Sequence, residues 1–138
     1  MLETGKAWES LDYFNKAVEL LQSTQDAHEG ELHHNRAVAL HTLGQTENAI
    51  AAFKKALQAG LDTPDVHNHY ALTLFGAGKK AYALRHWRRA IDLCSKELES
   101  NPSVADELVG YYSNIINAML QSFVSFHLCT HKLIVTAP

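Results

Sequence analysis

The chain has 138 residues, of which 46% are hydrophobic and 20% charged, which fits one ordinary globular domain. A formal net charge of -3 provides no general attraction to nucleic acid or anionic lipid. Two cysteines, Cys94 and Cys129, are too few for a disulfide framework, and residues 1–16 lack the apolar core of a secretory signal, so a reducing, cytoplasmic setting is expected.

Taken in order, the periodicity predicts helices over residues 7–22, 29–43, 46–59, 64–76, 80–99 and 103–123. The first follows Gly5 and carries apolar positions at Leu11, Phe14 and Val18. Residues 23–31 read as a polar connection. Asp62-Thr63-Pro64 and Asn101-Pro102-Ser103 are helix-entry signals, with proline suited to the first turn because its missing N–H has no intrahelical partner there. Residues 123–135 are apolar and β-branched, without the punctuation found upstream. The nearest approach to a membrane span, residues 115–135, is interrupted by Asn117, Gln121, His127, His131 and Lys132, so no membrane insertion is expected.

Two stretches repeat each other. Ala37, Leu40, Gly44, Ala49-Ile50, Phe53 and Ala56-Leu57 return 34 residues later as Ala71, Leu74, Gly78, Ala83-Leu84, Trp87 and Ala90-Ile91. Gly5, Ser10-Leu11, Phe14 and Ala17-Val18 supply the turn and second helix of the same pattern, without a first helix. Glycine suits a helix end because it reaches positive φ without a Cβ clash. Alanine lets two helix backbones approach, and the aromatic ring fills the space beside the contact. Amphipathic helices alone would explain the 3.6-residue period but not this fixed return.

These positions resemble the tetratricopeptide repeat (TPR), over Gly5 to about Leu93. The resemblance implies an all-α, TPR-like α-solenoid of antiparallel helix pairs, about two and a half repeats plus a C-terminal helix. The expected layout is the second helix of a truncated repeat (1–22), two repeats (29–60 and 64–99), a capping or partial-repeat helix (103–123) and an atypical tail (124–138). His33 and His67 stand where the family usually has tryptophan or another large residue, which suggests a looser seam between repeats. The family implies a protein-binding scaffold or adaptor whose first helices line a peptide groove. The matching residues are Glu31, His34, Asn35, Val38 and His41, then Asp65, Asn68, His69, Leu72 and Phe75. Side-chain amides there can both donate to and accept from an extended backbone, and the histidines suggest a pH response near neutrality. Asn35-Arg36 also matches part of the carboxylate clamp of co-chaperone TPRs. Asp65 and His69, where that clamp has Lys and Arg, argue against such a function here.

The alternative is a docking module for an acidic partner or RNA on the basic face of Arg85, Arg88, Arg89 and Lys96, though the net charge makes nucleic acid the weaker partner. A protein or peptide partner, within a larger complex or through self-association of exposed repeat ends, is the main expectation. No cofactor, metal site or catalytic residue is expected. Along single helices His34 and His41 are two turns apart, His67 and His69 point to different sides, and His127/His131, flanking Cys129, lack a third ligand. A catalytic tail site at those three residues is a remote third reading. Gly76 to Lys80 lacks the first glycine and the Ser/Thr of a phosphate loop.

Overall fold

A computed structural model describes residues 2–21 and 28–136, with side chains described for 3–21, 28–125 and 128. Helices α1 (Leu2–Leu21), α2 (Glu29–Thr42), α3 (Thr46–Gln58), α4 (Pro64–Gly76) and α5 (Lys80–Leu98) are followed by a 3₁₀ turn (Pro102–Val104) and α6 (Ala105–Thr136). No strand occurs among the described residues. The chain forms two compact units, Met1–Leu93 and Cys94–Pro138, with the boundary inside α5.

The first unit is built on its helix ends. Gly44 and Gly78 have φ of 73° and 77°. At the first, the Gly44 and Gln45 amides donate to His41 and Leu40 carbonyls; at the second, Gly78 and Lys79 donate to Phe75 and Leu74. Both are Schellman closures, in which a left-handed residue turns the last free carbonyls inward and aims the chain back along the helix it has left. Gly60, at φ 89°, closes α3 in the same way, with Gly60 and Leu61 amides on Leu57 and Ala56 carbonyls. The Thr63 hydroxyl caps α4 by accepting the Val66 amide, and Pro64 occupies the first turn.

Packing follows the 34-residue return. Ala37 and Ala71, Ala49 and Ala83, Phe53 and Trp87, and Ala56 and Ala90 are all at most 1% exposed. α2 packs on α1, α3 and α4, and α3 on α4. Phe53 stacks on Tyr70 across the repeat boundary, ring centroids 5.3 Å apart, and Tyr70 meets His86 at 4.3 Å. Arg36 ties α2 to α1 by donating to Asn15 Oδ1 at 2.6 Å.

Three features depart from the sequence reading. Gly5 lies inside α1 without positive φ and is not a turn; with no helix-breaking residue beside it, the helix continues through. The segment after residue 123 is helical to Thr136, since it holds neither proline nor glycine and its β-branched residues cost only tenths of a kcal/mol each in helix propensity. The third is Gly30, where a Cβ would stand 2.8 Å from Leu61 Cβ. Helix α2 therefore starts pressed against the turn that ends α3.

In the second unit, Asn101 Oδ1 accepts the Ser103 amide and hydroxyl, and the Cys94 thiol donates to Val104 O at 3.6 Å. Burial pushes that thiol's pKa up, so Cys94 is a packing residue rather than a nucleophile. Helix α6 exposes Val109, Tyr112, Ile116, Met119 and Phe123, a stripe with alternating spacings of three and four. No described helix is long and apolar enough to cross a membrane.

Gly30→Ala is expected to destabilise the first unit by about 1–3 kcal/mol through overpacking, and Gly44→Ala by about 1 kcal/mol through backbone strain at positive φ. Chemical denaturation followed by circular dichroism checks both. Wild-type stability in Gly30→Ala would contradict the close approach.

Candidate functional site

Helices α2 and α4 share a face in the first unit. His34 Nε2 lies 3.2 Å from His69 Nδ1, and Asp65, one turn before His69, reaches both rings: 3.4 Å to His69 Nδ1 and 3.9 Å to His34 Nε2. A turn further on, Thr73 donates its hydroxyl to the His69 carbonyl at 2.9 Å. Its oxygen is then left to accept from His41 Nδ1 at 3.0 Å, which fixes the His41 tautomer. Four of the ten groove residues expected from sequence are thus drawn into one polar seam: His34, His41, Asp65 and His69.

The other expected groove residues divide by use. Asn35 and Glu31 are exposed, and Val38, Leu72 and Phe75 are half-buried. The Asn35 amide makes no hydrogen bond within the described residues. Beside it a cleft of about 320 Å³ opens between α1 and α2, lined by Lys6, Ser10, Phe14, Asn35, Val38 and Thr42 among others. Asn68, by contrast, accepts from Trp87 Nε1 at 3.1 Å, so its carbonyl anchors α5 instead of facing a ligand. Arg36 is held by Asn15, which removes the second member of the Asn-Arg pair from any carboxylate clamp.

A second polar cluster joins α4 to α5 through Asp62, His67, His86 and Arg89. Asp62 accepts from His67 Nε2 at 2.7 Å and from Arg89, whose Nε stands 3.3 Å away. His67 Nδ1 faces His86 Nδ1 at 2.8 Å and accepts its proton when His67 is neutral. The Arg89 and His67 hydrogen bonds hold the Asp62 carboxyl down at about 2, and burial lowers His86 to about 4. His67 therefore fills the large-residue position as a hydrogen-bonding element. His33 is also buried, but its Nδ1 has no partner among the described residues, and an orphaned buried donor or acceptor costs about 1–3 kcal/mol.

On the basic face, Arg89 is engaged by Asp62, and the Arg85 guanidinium lies 5.5 Å from the Tyr82 ring centroid. Arg88 and Lys96 are exposed. The chain nevertheless carries less unengaged positive charge on α5 than a count of arginines suggests. His127, Cys129 and His131 lie on α6, but their side chains are outside the described residues.

Paired helices with a 34-residue return and an inter-repeat polar seam define a helical-repeat protein. A family model described as Tetratricopeptide repeat matches residues 30–59, which supports a tetratricopeptide-repeat assignment. No curated protein matches the chain. The tetratricopeptide repeat is generally a protein–protein interaction motif, and its family is typically one of non-enzymatic scaffolds.

The histidines set a pH dependence. Burial lowers His34, His41 and His86 below their ordinary value of 6.5. Between those lowered values and 6.5 the unfolded chain binds more protons than the fold, so stability is full above pH 6.5 and falls as pH falls. The loss from His86, largely complete near pH 4, is on the order of 2 kcal/mol after allowance for solvent screening. Asp62 has the same sign in a lower window, its contribution being lost as pH falls from about 4 towards 2. Melting temperature is expected to decline from pH 7.5 to 5, with a shallower slope in His86→Gln. A flat profile would contradict the burial of neutral imidazoles.

Proposed function

We propose that the chain is an adaptor that binds an extended peptide segment along α2, from the cleft that α2 forms with α1 beside Asn35 towards α4. The observation that carries this reading is Asn35, an exposed amide with no hydrogen-bond partner among the described residues, at the edge of an apolar-lined cleft. An amide offers one acceptor and two donors, the complement of a peptide unit, and leaving it unengaged on a surface is inexpensive only because water or a ligand can satisfy it. Val38 and Phe14 beside it supply apolar contact for an alternate side chain of the bound segment. Asp65 sets a preference, since its carboxylate disfavours acidic residues and a free C-terminus near α4.

Asn35→Ala combined with Val38→Ser is expected to lose, by about tenfold or more, the partners that the wild-type chain retains from lysate. Arg88→Ala with Lys96→Ala should retain them. Retention in the first variant and loss in the second, with folding confirmed by circular dichroism, would move the binding surface to α5.

A second reading rests on the stripe of α6. Apolar residues at 109, 112, 116, 119 and 123 have the three-four spacing with which one helix pairs along another, which supports self-association through this helix. Ile116→Lys is expected to lower the sedimentation-derived mass from a dimer to a monomer; a wild-type chain that is monomeric at about 100 µM removes this reading.

A further inference from the structure

We propose that His34, Asp65 and His69 form a binding site for a divalent first-row transition ion, with zinc as the reference metal, that clamps α2 to α4. One donor atom from each residue lies within 4.8 Å of the other two; the ring nitrogens are 3.2 Å apart, and Asp65 brings Oδ1 to 3.4 Å from His69 Nδ1 and Oδ2 to 3.9 Å from His34 Nε2. Donors about 2.0–2.1 Å from a tetrahedral zinc are spaced about 3.3–3.4 Å apart. The nitrogen pair and the His69–Asp65 Oδ1 contact already lie close to that edge, and rotation of the exposed Asp65 carboxylate brings one oxygen towards both rings.

The same distances suit a hydrogen-bond network less well. A ring-nitrogen pair at 3.2 Å sits at the long limit for N–H···N, and both carboxylate contacts exceed the usual 2.7–3.2 Å range. One shared proton can satisfy a single contact, whereas a cation is attracted to all three lone pairs. Two imidazoles and a carboxylate select zinc-like ions over calcium or magnesium, which prefer all-oxygen shells.

The placement is also favourable. His34 is mostly buried, its ring 6.0 Å from that of Phe53, so its orientation is set by packing. Asp65 and His69 share one face of α4 at a spacing of four, with side chains 62% and 36% exposed, leaving access for an ion and at least one coordination position for water or a donor from outside. The polar cluster on α5 does not offer this geometry, because His67 directs one nitrogen to Asp62 and the other to His86, so no single point is reached by all three groups. This proposal stands independently of peptide binding.

The test uses the full chain freed of metal by chelating resin. Zinc titration against a chromophoric chelator should give one equivalent per chain, and cobalt should produce visible absorption bands typical of low-coordinate nitrogen and oxygen ligation. His34→Gln and His69→Gln should each weaken zinc by about tenfold or more, and Asp65→Asn by several-fold. Asp65→Asn changes an exposed group and keeps its shape, so it reports on coordination even if a histidine variant folds poorly. His127→Ala with His131→Ala and His67→Gln serve as controls and should leave the affinity unchanged. Absence of zinc binding up to about 1 mM, or binding that survives in His34→Gln, His69→Gln and Asp65→Asn alike, would overturn the proposal.

Discussion

The fold depends on a single constraint, repeated: a helix must reverse within a few residues and bring its successor close enough for alanine to meet backbone. Gly44, Gly60 and Gly78 supply the left-handed turn, and Ala37, Ala49, Ala71 and Ala83 permit the approach with complete burial. Neither works without the other, since a tight reversal onto a bulky contact would splay the pair, and small contacts on a loose turn would not be held together. Once each pair is fixed, the stacking of one repeat on the next follows from Phe53 against Tyr70 and from the polar seam of α2 on α4.

That dependence explains what could be read in the chain itself. The helices, the positive-φ glycines and the buried alanine and aromatic positions follow from local rules: period 3.6, cap chemistry and a 34-residue return. Gly5 looked equivalent to Gly44 because it precedes the same kind of apolar pattern, yet a glycine flanked by helix formers has no obligation to turn. Gly30 was invisible, as nothing in its neighbours along the chain announces Leu61. The polar clusters were invisible for a similar reason. His34 and His69 are 35 residues apart and His67 and His86 are 19 apart; only the stacking of helices brings them together, so spacing along one helix could not reveal a shared donor set.

The histidines also change the meaning of the seam between repeats. His67 is not a poor replacement for a large apolar residue: with Asp62, Arg89 and His86 it makes a bonded network linking α4 to α5. His33, in the corresponding place one repeat earlier, keeps a buried nitrogen without a partner among the described residues. Equivalent positions thus contribute differently: one is hydrogen-bonded through both ring nitrogens, and the other leaves Nδ1 unsatisfied among the described residues. The groups that hold α2 to α4 lie on the same helix, α2, as the amide offered for binding. A ligand on Asn35 and a change at the His34, Asp65 and His69 set would therefore both act on α2.

The central claim, that the surface of α2 at Asn35 is where the chain meets its partner, is tested most directly by placing a photo-crosslinking amino acid at position 35 and, separately, at position 88, and identifying adducts by mass spectrometry after irradiation in cell extract. The account predicts discrete adducts from position 35 that are absent from position 88. Adducts from position 88 alone would contradict it.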